Sequence, residues 1–487
     1  MSQQLPPLSP RVVRELAEVV GKEWVFHGDA ERLAYSYDAS IVRSWPQAVC
    51  LPASAAEVSA LLRIASREKI PFVARGAGTG IAGGSVPVQG GLVLALSRMN
   101  RILELNVPDR LAVVEPGVVN LALGQSAERL GYTFRPDPSS QKVSTIGGNA
   151  ACNAGGPHCL AYGVTANHVL ALEVVLPDGR IVEVGARHVD APGYDLTGLL
   201  VGSEGTMGVV TKLVCRLARC SGGVKTLLAS YARMEEAAAS VSAIIAAGIV
   251  PAALEMMDGP IIRAVEDYIH AGYPVEAAAV LLVEVEGPVN GLEGVCGSIE
   301  SICRAHGAAT FRAAASEEER ARLWAGRKGA LGAVARIKPK YYLHDGVVPR
   351  TRLLDVLQQV AAIGLAQGLT IVNVFHAGDG NLHPFILFDP ANPGELEKVH
   401  EAGRQILRAC VDAGGTLSGE HGIGAEKNEM MDWVYSPDDL AAMKRLRAVF
   451  DPLGLANPGK MFPTGVPCCG VGHEPGLPVS DAGGMWV

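Results

Sequence analysis

The chain has 487 residues, 48% of them hydrophobic, and is too long for one ordinary core, so we expect two or more domains. The formal net charge of −8 and the lack of a long basic cluster exclude a nucleic-acid-binding surface. We expect no membrane span, because no run reaches about 18 uninterrupted apolar residues, and residues 1–10 are not typical of a secretory signal. Ten cysteines without a C-x-x-C pair predict reduced cytoplasmic thiols and no iron–sulfur cluster.

The first part of the chain alternates amphipathic helices with short apolar strands, which predicts an α/β or α+β domain. Helices and strands are predicted, in chain order, at residues 9–21, 48–51, 55–69, 71–74 and 92–96. Between residues 111 and 219 the predicted strands are shorter and are separated by glycine-rich loops.

A polar junction at Cys220–Gly223 marks a candidate domain boundary. Beyond it, long Ala-rich helices alternate with strands in the pattern of a second α+β domain, at residues 235–247, 279–286, 291–306, 316–335, 352–367, 370–376, 384–388, 394–413 and 437–450. The predicted organisation is an N-terminal helical segment at 1–44, a first domain at 45–221, a second domain at 222–465 and a flexible tail at 466–487.

The first glycine cluster, Arg75–Gly84, has the spacing Gly78-x-Gly80-x-x-Gly83 of dinucleotide-binding folds. That fold needs a helix that begins at the last glycine, but the residues that follow are too rich in Gly and Pro, so we exclude a Rossmann domain. A glycine loop without a helix can still bind phosphate, because successive backbone N–H groups form an anion-binding nest. The alternative is a tight surface turn, which rarely needs five glycines in nine residues.

Two further clusters combine glycine with Ser, Thr or Asn side chains that can donate hydrogen bonds. The second cluster runs from Pro136 to Gly156, and the third from Gly202 to Val210. One such cluster alone would be weak evidence. Three of them within one domain predict a large polar ligand.

The second domain contains two histidines on either side of a predicted turn. Asp379-Gly380 is a favoured two-residue hairpin turn, and such a turn would pair His376 with His383. Opposed residues have Cβ atoms about 4.5–5.5 Å apart, so the two imidazoles could bind one divalent metal. From the hairpin alone, two half-buried histidines bonded to neighbouring carbonyls are an equal alternative.

Glu420 and His421 are adjacent in the glycine-flanked loop Gly415–Gly424. Glu420 could complete a metal site with two histidines and one carboxylate. His421 would then be free to act as a base, since an unperturbed imidazole has a pKa of about 6.5. The alternative is a helix-to-strand loop with a capping glutamate, although the glycines on both sides make a purely structural role the lesser option.

The glycine clusters also resemble a known family in order and spacing. Four segments resemble the FAD-binding domain of the vanillyl-alcohol oxidase/p-cresol methylhydroxylase superfamily. They are R-G-A-G-T-G, P-D-P-S-S, T-I-G-G-N-A-A-C-N-A-G-G and G-S-E-G-T-M-G-V-V-T. The similarity, over residues 40–465, is greatest to its branch of glycolate oxidase large subunits and D-lactate and D-2-hydroxyglutarate dehydrogenases. The resemblance implies an α+β fold: a two-subdomain FAD-binding domain of the p-cresol methylhydroxylase type, then an α+β FAD-linked oxidase C-terminal domain.

The resemblance further implies which residues bind FAD. The first cluster approaches the pyrophosphate, the second lines the ribityl and flavin region, the third lies on the adenosine side, and a closing Asn-Pro-Gly-Lys motif lies near the flavin. The implied residues are, in that order, Arg75, Gly76, Gly78, Thr79 and Gly80; Pro138, Ser139, Gly147, Gly148, Asn153, Gly155 and Gly156; Glu204, Gly205 and Val210; and Asn457. Some relatives attach FAD through a histidine in the first loop, which is lacking here, so non-covalent FAD is expected.

The implied activity is oxidation of a small 2-hydroxy acid to the 2-oxo acid, with hydride transfer to flavin N5. In the metal-dependent branch, residues at these places bind a divalent metal (Zn, Mn or Fe), and here they are His376, His383 and Glu420. The resemblance also implies that His421 is the base and that Arg327 binds the substrate carboxylate. Arg327 by itself is more typical of a solvated helix residue. Tyr341–Asp345 lacks the lysine that 2-hydroxyglutarate enzymes use, which favours glycolate or D-lactate as substrate.

Three alternatives to this activity remain at the level of sequence. One is a D-2-hydroxyglutarate dehydrogenase, one is a non-redox flavoenzyme that resembles alkylglycerone-phosphate synthase, and one is a zinc hydrolase whose glycine clusters are only structural. For an oxidase, the electrons must leave to O₂, a quinone, a cytochrome or a partner subunit. We therefore expect flavin or iron–sulfur partner subunits or another acceptor, and a cytoplasmic protein that associates with a membrane through such partners.

Overall fold

The computed structural model describes residues 6–188 and 192–465, so the predicted tail at 466–487 lies outside the described residues. The first elements, in chain order, are α1 (Pro10–Val20), β1 (Val25–Phe26), α2 (Asp29–Ala34), β2 (Ala48–Cys50), α3 (Ala55–Glu68), β3 (Phe72–Arg75) and β4 (Leu92–Ala95). The strands form one sheet in the order β1-β2-β4-β3, parallel except for β1. The five elements predicted up to residue 96 are confirmed, with ends within one residue.

Local chemistry explains the two long helices of this part. Ser9 and Ser54 cap α1 and α3, because each Oγ accepts a hydrogen bond from the backbone N–H three residues further on. The apolar face of α3, at Val58, Leu61 and Leu62, packs against the first sheet. The segment at 1–44, predicted as helical, also contributes β1 to that sheet.

A second layer follows between residues 102 and 219. It contains β5 (Ile102–Asn106), β6 (Leu111–Val114), α4 (Asn120–Glu128), β7 (Tyr132–Thr133), α5 (Ile146–Cys152), α6 (Cys159–Tyr162), β8 (Val169–Val175), β9 (Ile181–Gly185), α7 (Leu196–Leu200), β10 (Val209–Arg216) and β11 (Ala218–Arg219). An antiparallel sheet has the order β5-β6-β10-β8-β9, and β7 pairs with β11. The short α5 begins at Ile146, within the second glycine cluster, and Thr145 caps it.

The remainder is built on a seven-stranded antiparallel sheet with the order β15-β12-β14-β13-β17-β18-β16. Its elements are β12 (Gly223–Tyr231), α8 (Met234–Ala246), β13 (Ala253–Asp258), α9 (Gly259–Ile269), β14 (Ala279–Gly287), α10 (Val289–Ala305), β15 (Ala308–Ala313), α11 (Glu317–Val334), β16 (Lys340–Leu343), α12 (Leu353–Gln367), β17 (Thr370–His376), β18 (Pro384–Phe388), α13 (Glu395–Asp412) and α14 (Pro437–Phe450). All nine elements predicted beyond residue 223 are confirmed within two residues. The sequence missed β12, β13, β15, β16 and α9.

Both faces of the large sheet are buried, which explains its near-continuous apolar strands. Along β14, Leu281 and Val283 belong to one hydrophobic cluster, whereas Val280 and Leu282 belong to the cluster on the opposite face. The overall class is α+β, as predicted. Of the described helices, none is long and apolar enough to span a bilayer.

The C-terminal segment returns to the first sheet. Phe72 N donates to Leu455 O at 2.9 Å, and Asn457 N donates to Phe72 O at 2.8 Å, so the segment runs beside β3. This return brings the predicted Asn457 motif next to the first glycine cluster.

Candidate active site

A cavity lies where the three glycine clusters meet the large sheet and α11. Thirteen of the predicted site residues line it, namely Gly76, Gly78, Thr79, Gly80, Pro138, Ser139, Gly148, Glu204, Gly205, Arg327, His383, Glu420 and His421. Its apolar wall includes Leu331, Leu343, Val374 and Phe385. The structure therefore brings together segments that are more than 300 residues apart in the chain.

The first glycine cluster is an irregular loop between β3 and β4, and no helix follows it, which agrees with the exclusion of a Rossmann domain. Within the described chain, none of the backbone N–H groups from Ala77 to Gly84 donates a hydrogen bond to the protein. Ala82 and Gly83 are buried, and a buried backbone donor without a partner is rare in folded proteins. The loop therefore fits an anionic ligand, as a phosphate-binding nest requires.

Glycine is required at Gly78, where φ is +70° and a Cβ atom would collide with the Arg75 guanidinium. Arg75 is itself buried, and its Nη1 lies 3.3 Å from Ser85 Oγ. Burial lowers the pKa of Arg75, although the Asp38 carboxylate opposes that shift. Arg75 thus places a desolvated positive charge behind the loop and does not itself line the cavity.

Seven other predicted site residues also lie outside the cavity wall: Gly147, Asn153, Gly155, Gly156, Val210, His376 and Asn457. Several of them shape the loops. A Cβ atom at Gly147 would lie 2.5 Å from Pro116 Cβ, and one at Gly155 would lie 2.7 Å from Glu420 Oε2. Asn153 Oδ1 accepts a hydrogen bond from Ala166 N at 2.8 Å. Their predicted contacts with the cofactor stay predictions.

Asn457 and Glu204 join the glycine clusters to the C-terminal loops. Asn457 Nδ2 donates to Gly84 O at 2.8 Å and to Glu204 O at 2.7 Å. The Glu204 carboxylate accepts from Ile423 N at 2.7 Å and from Gly424 N at 2.8 Å. The side chain of Glu204 therefore holds the loop that follows His421, and the place on the adenosine side of FAD that the resemblance implies stays a prediction.

The predicted metal ligands converge. One ligand atom from each of His376, His383 and Glu420 lies within 4.8 Å of the others. Glu420 Oε1 is 3.1 Å from His376 Nε2 and 3.2 Å from His383 Nε2. His383 Nε2 is buried and makes no well-directed hydrogen bond. Two imidazoles and one carboxylate are a typical donor set for Zn, Mn or Fe, so the residues fit a divalent metal.

The hairpin register that suggested this site was wrong. His376 forms a bridge with Asn381, and Asn373 pairs with Pro384, so the turn between the strands has four residues. Asp379 Oδ1 accepts a hydrogen bond from Asn381 N, which favours the longer turn. The error is two residues, and side chains two residues apart share a face, so His383 still points towards His376, with ring centroids 5.0 Å apart.

Glu255, on β13, is a buried residue that the sequence analysis missed. Its Oε1 is 2.7 Å from His376 Nδ1, and its Oε2 accepts from Arg327 Nε at 2.6 Å. Such a carboxylate behind a ligand histidine fixes the orientation of the ring. Burial alone would lower the pKa of His376, but the Glu255 and Glu420 carboxylates raise it well above its ordinary value.

Arg327 is buried on α11, contrary to the commoner solvated state of a helix arginine. Glu255 engages its Nε and Nη2 atoms, and Nη2 is also 3.5 Å from His376 Nδ1. The guanidinium is therefore fixed at the cavity wall beside the histidine cluster.

Asp345 holds the loop that carries Glu420 and His421. Its Oδ2 accepts hydrogen bonds from the backbone N–H groups of Gly419, Glu420 and His421, at 2.8–3.0 Å. Lys427 pairs with its other oxygen. The nearby His421 ring, Lys427 and these hydrogen bonds together hold the pKa of Asp345 well below its usual range in spite of burial. This role could not be predicted from the sequence, because Asp345 and the loop are 75 residues apart.

His421 lies in the cavity wall next to the predicted ligands. Its ring stacks on His383 with centroids 4.9 Å apart, and its Nε2 is 3.6 Å from Glu420 Oε1. Burial lowers the pKa of His421, although Asp345 and Glu420 oppose the shift. The ring is therefore neutral near pH 7, which is the state that can accept a proton.

Comparisons with known proteins agree with this geometry. The family model of the FAD binding domain matches residues 46–185, and that of the FAD linked oxidases, C-terminal domain, matches residues 223–461. The chain is 45% identical to the glycolate oxidase subunit GlcD of Escherichia coli K12, over 93% of this chain and 91% of the relative. It is 30% identical to the D-lactate dehydrogenase of Anaerostipes hadrus, over 94% of this chain and 98% of the relative.

The fold is also similar to that of p-cresol methylhydroxylase with substrate bound. The TM-score is 0.79 at 16% identity, over 93% of this chain and 96% of that one. Fold, cavity and family models together define an FAD-linked oxidoreductase. The chain belongs to the FAD-linked oxidase family, with an FAD-binding domain followed by an FAD-linked oxidase C-terminal domain.

Proposed function

We propose that this chain oxidises a small 2-hydroxy acid, glycolate or D-lactate, to the 2-oxo acid. One observation carries the proposal: a glycine loop with unpaired N–H groups and a histidine cluster with His421 beside it face the same cavity. The names of the two relatives, a glycolate oxidase subunit and a D-lactate dehydrogenase, support this substrate class.

For the cofactor, we propose non-covalent FAD with its pyrophosphate on residues 76–80 and its flavin ring near Pro138, Ser139 and Gly148. When bound, FAD accepts the hydride that leaves the substrate Cα. The protein supplies the nest for the phosphates, the charge of Arg75 behind it, and the apolar wall formed by Leu331, Leu343, Val374 and Phe385. In the same proposal the domain boundaries stay at 45–221 and 222–465.

The substrate is held by Arg327 in this proposal. Glu255 engages Nε and Nη2 of the guanidinium and leaves Nη1 for the carboxylate of the hydroxy acid. Since Glu255 also fixes His376, one buried acid sets the carboxylate clamp and the histidine cluster relative to each other. His421 Nε2 takes the hydroxyl proton, because its lowered pKa keeps the nitrogen free near pH 7.

A divalent metal, Zn, Mn or Fe, is the finer part of the proposal. His376, His383 and Glu420 would hold it, and Glu255 would fix the tautomer of His376. A bound metal lowers the pKa of a substrate hydroxyl that it contacts. The buried, poorly bonded Nε2 of His383 supports a ligand at this place.

We further propose that the electrons leave the reduced flavin to a partner subunit or another acceptor, and that the protein works in the cytoplasm. The Escherichia coli relative is named as a subunit. The eight cysteines in the described ranges are all free, which fits a reducing compartment.

The test is anaerobic mixing of the purified protein with glycolate, D-lactate, L-lactate and D-2-hydroxyglutarate. We expect the flavin band at about 450 nm to bleach with glycolate or D-lactate, as hydride transfer to the cofactor requires. Bleaching by D-2-hydroxyglutarate alone would contradict glycolate and D-lactate as substrates and favour a D-2-hydroxyglutarate dehydrogenase. A colourless protein that hydrolyses esters or amides would favour a zinc hydrolase, and a bound flavin that no hydroxy acid reduces would favour a non-redox flavoenzyme.

A further inference from the structure

A second buried cluster of charges lies between the parts that the two family models match, apart from the metal ligands. His158 Nδ1 is 2.7 Å from Asp137 Oδ1, and His158 Nε2 is 3.0 Å from Glu284 Oε1. All three side chains are buried. Asp137 and His158 belong to the FAD-binding part, and Glu284 belongs to the large sheet. We call Asp137, His158 and Glu284 the interdomain triad.

His158 is doubly protonated in this triad, since both ring nitrogens face a carboxylate oxygen. Burial alone would lower the pKa of His158, but the Asp137 and Glu284 carboxylates raise it to about 9. Arg135 Nη1 is 3.1 Å from the same Nδ1, yet the Asp137 oxygen is closer and accepts the Nδ1 proton. The imidazolium therefore lies between two buried acids and forms an ion pair with each of them.

The two acids of the triad accept hydrogen bonds from side chains of α11, the helix that carries Arg327. Glu284 Oε2 accepts from Trp324 Nε1 at 2.5 Å and from Arg320 Nη1 at 3.0 Å. Asp137 Oδ2 accepts from Lys328 Nζ at 3.2 Å. Trp324 and Lys328 are four residues apart, so the helix is held on one face at two successive turns, with Arg327 between them.

At its other end the triad is continuous with the flavin side of the cavity. Asp137 directly precedes Pro138 and Ser139, which line the cavity together with Arg327 and Lys328. The His158 ring also stacks on Trp324, with centroids 5.7 Å apart and planes at 27°. One imidazolium thus links the loop on the cofactor side to the helix on the substrate side.

The same neighbourhood could be considered for a metal, because ligand atoms of His158, Glu284 and Glu286 lie within 4.8 Å of one another. Arg135 Nη2 already binds Glu286 at 3.1 Å, and Arg320 binds Glu284. A cation here would have to displace the imidazolium protons and sit beside two guanidinium groups. The charges therefore favour an ionic link over a metal site.

We propose that His158 is a positioning residue that sets the separation between the flavin-side loop at Pro138 and Ser139 and the carboxylate-binding Arg327. The proposal rests on the proposed function, since it assigns the two sides of the cavity to flavin and substrate. Misplacement of reacting groups by about 1 Å can slow an enzyme about a hundredfold, so a loosened triad would slow the hydride step.

The main test is His158→Gln, because glutamine can keep one hydrogen bond but carries no charge to pair with Asp137 and Glu284. We expect the variant to bind FAD in the wild-type ratio, with flavin reduction slowed by roughly 10- to 100-fold at saturating substrate. The matched control is His168→Gln. His168 is also buried in the FAD-binding part, but its Nε2 bonds to the Tyr162 carbonyl, at 2.9 Å, and none of the described carboxylates pairs with it. Its variant should reduce flavin at the wild-type rate.

A second readout needs no activity, namely the melting temperature of the purified protein, with its bound cofactor, against pH. The pKa of His158 is raised in the folded state, so its stabilising contribution is complete below the unfolded value of about 6.5 and is lost as pH rises through about 9. The difference in melting temperature between wild type and His158→Gln should therefore shrink across this window. The groups that face His158 are Asp137, Glu284, Arg135 and the Trp324 ring, with Lys328, Arg320, Glu286 and Tyr162 behind them.

Lys328→Gln keeps the proposal testable if His158→Gln does not fold, since this lysine is partly exposed and its loss is tolerable. Removal of the Lys328 charge leaves Asp137 less neutralised, so His158 should hold its proton to higher pH and the alkaline fall in stability should move upward. If the decrease in melting temperature at alkaline pH disappears in Lys328→Gln, that decrease comes from Lys328 and not from His158, which would overturn the proposal.

Other outcomes separate the failure of this proposal from failure of the proposed function. Wild-type flavin reduction together with an unaffected His158→Gln variant would contradict the positioning role. If the rate of flavin reduction falls equally in His158→Gln and His168→Gln, the cause is general destabilisation and the positioning role is contradicted. Loss of one bound metal in His158→Gln would mark a metal site. If no hydroxy acid reduces the wild-type flavin, the proposed function fails, whereas the pH dependence of melting still tests the triad.

Discussion

The two sides of the cavity handle charge in opposite ways. The FAD-binding side offers a glycine loop whose backbone N–H groups from Ala77 to Gly84 are unpaired, with few charged side chains. The C-terminal side buries charged side chains, and each is held by another: Glu255 fixes Arg327 and His376, and Asp345 fixes the Glu420–His421 loop. A backbone nest suits a cofactor that stays bound, whereas paired side chains suit proton and carboxylate chemistry that must be repeated each turnover.

The largest effect should come from the substrate side, at the base. His421→Asn removes the proton acceptor but preserves a polar side chain, so flavin reduction should slow by about a thousandfold, within the range for a general base. Anaerobic stopped-flow absorbance measures the rate, and the flavin-to-protein ratio should be unchanged. The matched control is His270→Asn, at an exposed helix end with φ +55°, which asparagine tolerates well. If His421→Asn reduces its flavin at the wild-type rate, His421 is not the base.

Arg327→Lys should give the next effect, because lysine keeps the charge but loses the planar fork that Glu255 orients. We expect kcat/KM for the hydroxy acid to fall about a hundredfold, a loss of about 2.7 kcal/mol in transition-state binding. Arg322→Lys, on the exposed side of the same helix, is the control and should behave as wild type. If both variants keep full kcat/KM, Arg327 is not the carboxylate clamp.

Glu420→Gln tests the metal without relying on turnover. An amide is a poorer ligand than a carboxylate, so the metal content found by elemental analysis should fall to a small fraction of that of the wild type, with FAD retained. The exposed Glu397→Gln variant, on α13, should keep its metal. A metal-free wild type, or a Glu420→Gln variant with full metal content, would contradict the ligand assignment.

The smallest effect should come from the backbone side. Gly78→Ala places a Cβ atom at a strained φ of +70° against the Arg75 guanidinium, so either this buried side chain or the loop must shift. Strain of about 1–2 kcal/mol should weaken FAD binding roughly tenfold, measured by titration of the FAD-free protein. Gly332→Ala in α11 is the control, since its Cβ would meet Tyr268 only at an ordinary 3.7 Å. Unchanged FAD affinity in Gly78→Ala would argue against the nest.

The two sides of the cavity also differ in how much of each could be predicted from the sequence. The nest is contiguous, so its glycines, the absence of a helix and the flanking strands were all predicted correctly. The sequence could not supply Glu255 or Asp345, because each lies in an apolar strand or at its end and meets its partners only through the fold. Asn457 carried a motif, but its bonds to Gly84 and Glu204 depend on the return of the chain to β3.

The wrong hairpin register illustrates which predictions are robust. Asp379-Gly380 was taken for a two-residue turn, whereas the turn has four residues and His376 bridges to Asn381. The predicted neighbourhood of His376 and His383 was nevertheless correct, because a two-residue shift preserves the face of the strand. An error of one residue would have separated the histidines.

The central claim is that the two sides of the cavity act on one substrate, and single-turnover reduction with deuterated D-lactate tests it most directly. Anaerobic wild-type protein is mixed with D-lactate that carries hydrogen or deuterium at Cα, and the flavin absorbance is followed. With D-lactate, or with glycolate labelled in the same way if glycolate is the substrate, the account predicts full bleaching by the hydrogen and the deuterium form. The rate should be several-fold lower with deuterium, because the Cα–H bond breaks as the flavin is reduced. A flavin that stays oxidised with both D-lactate and glycolate would contradict it.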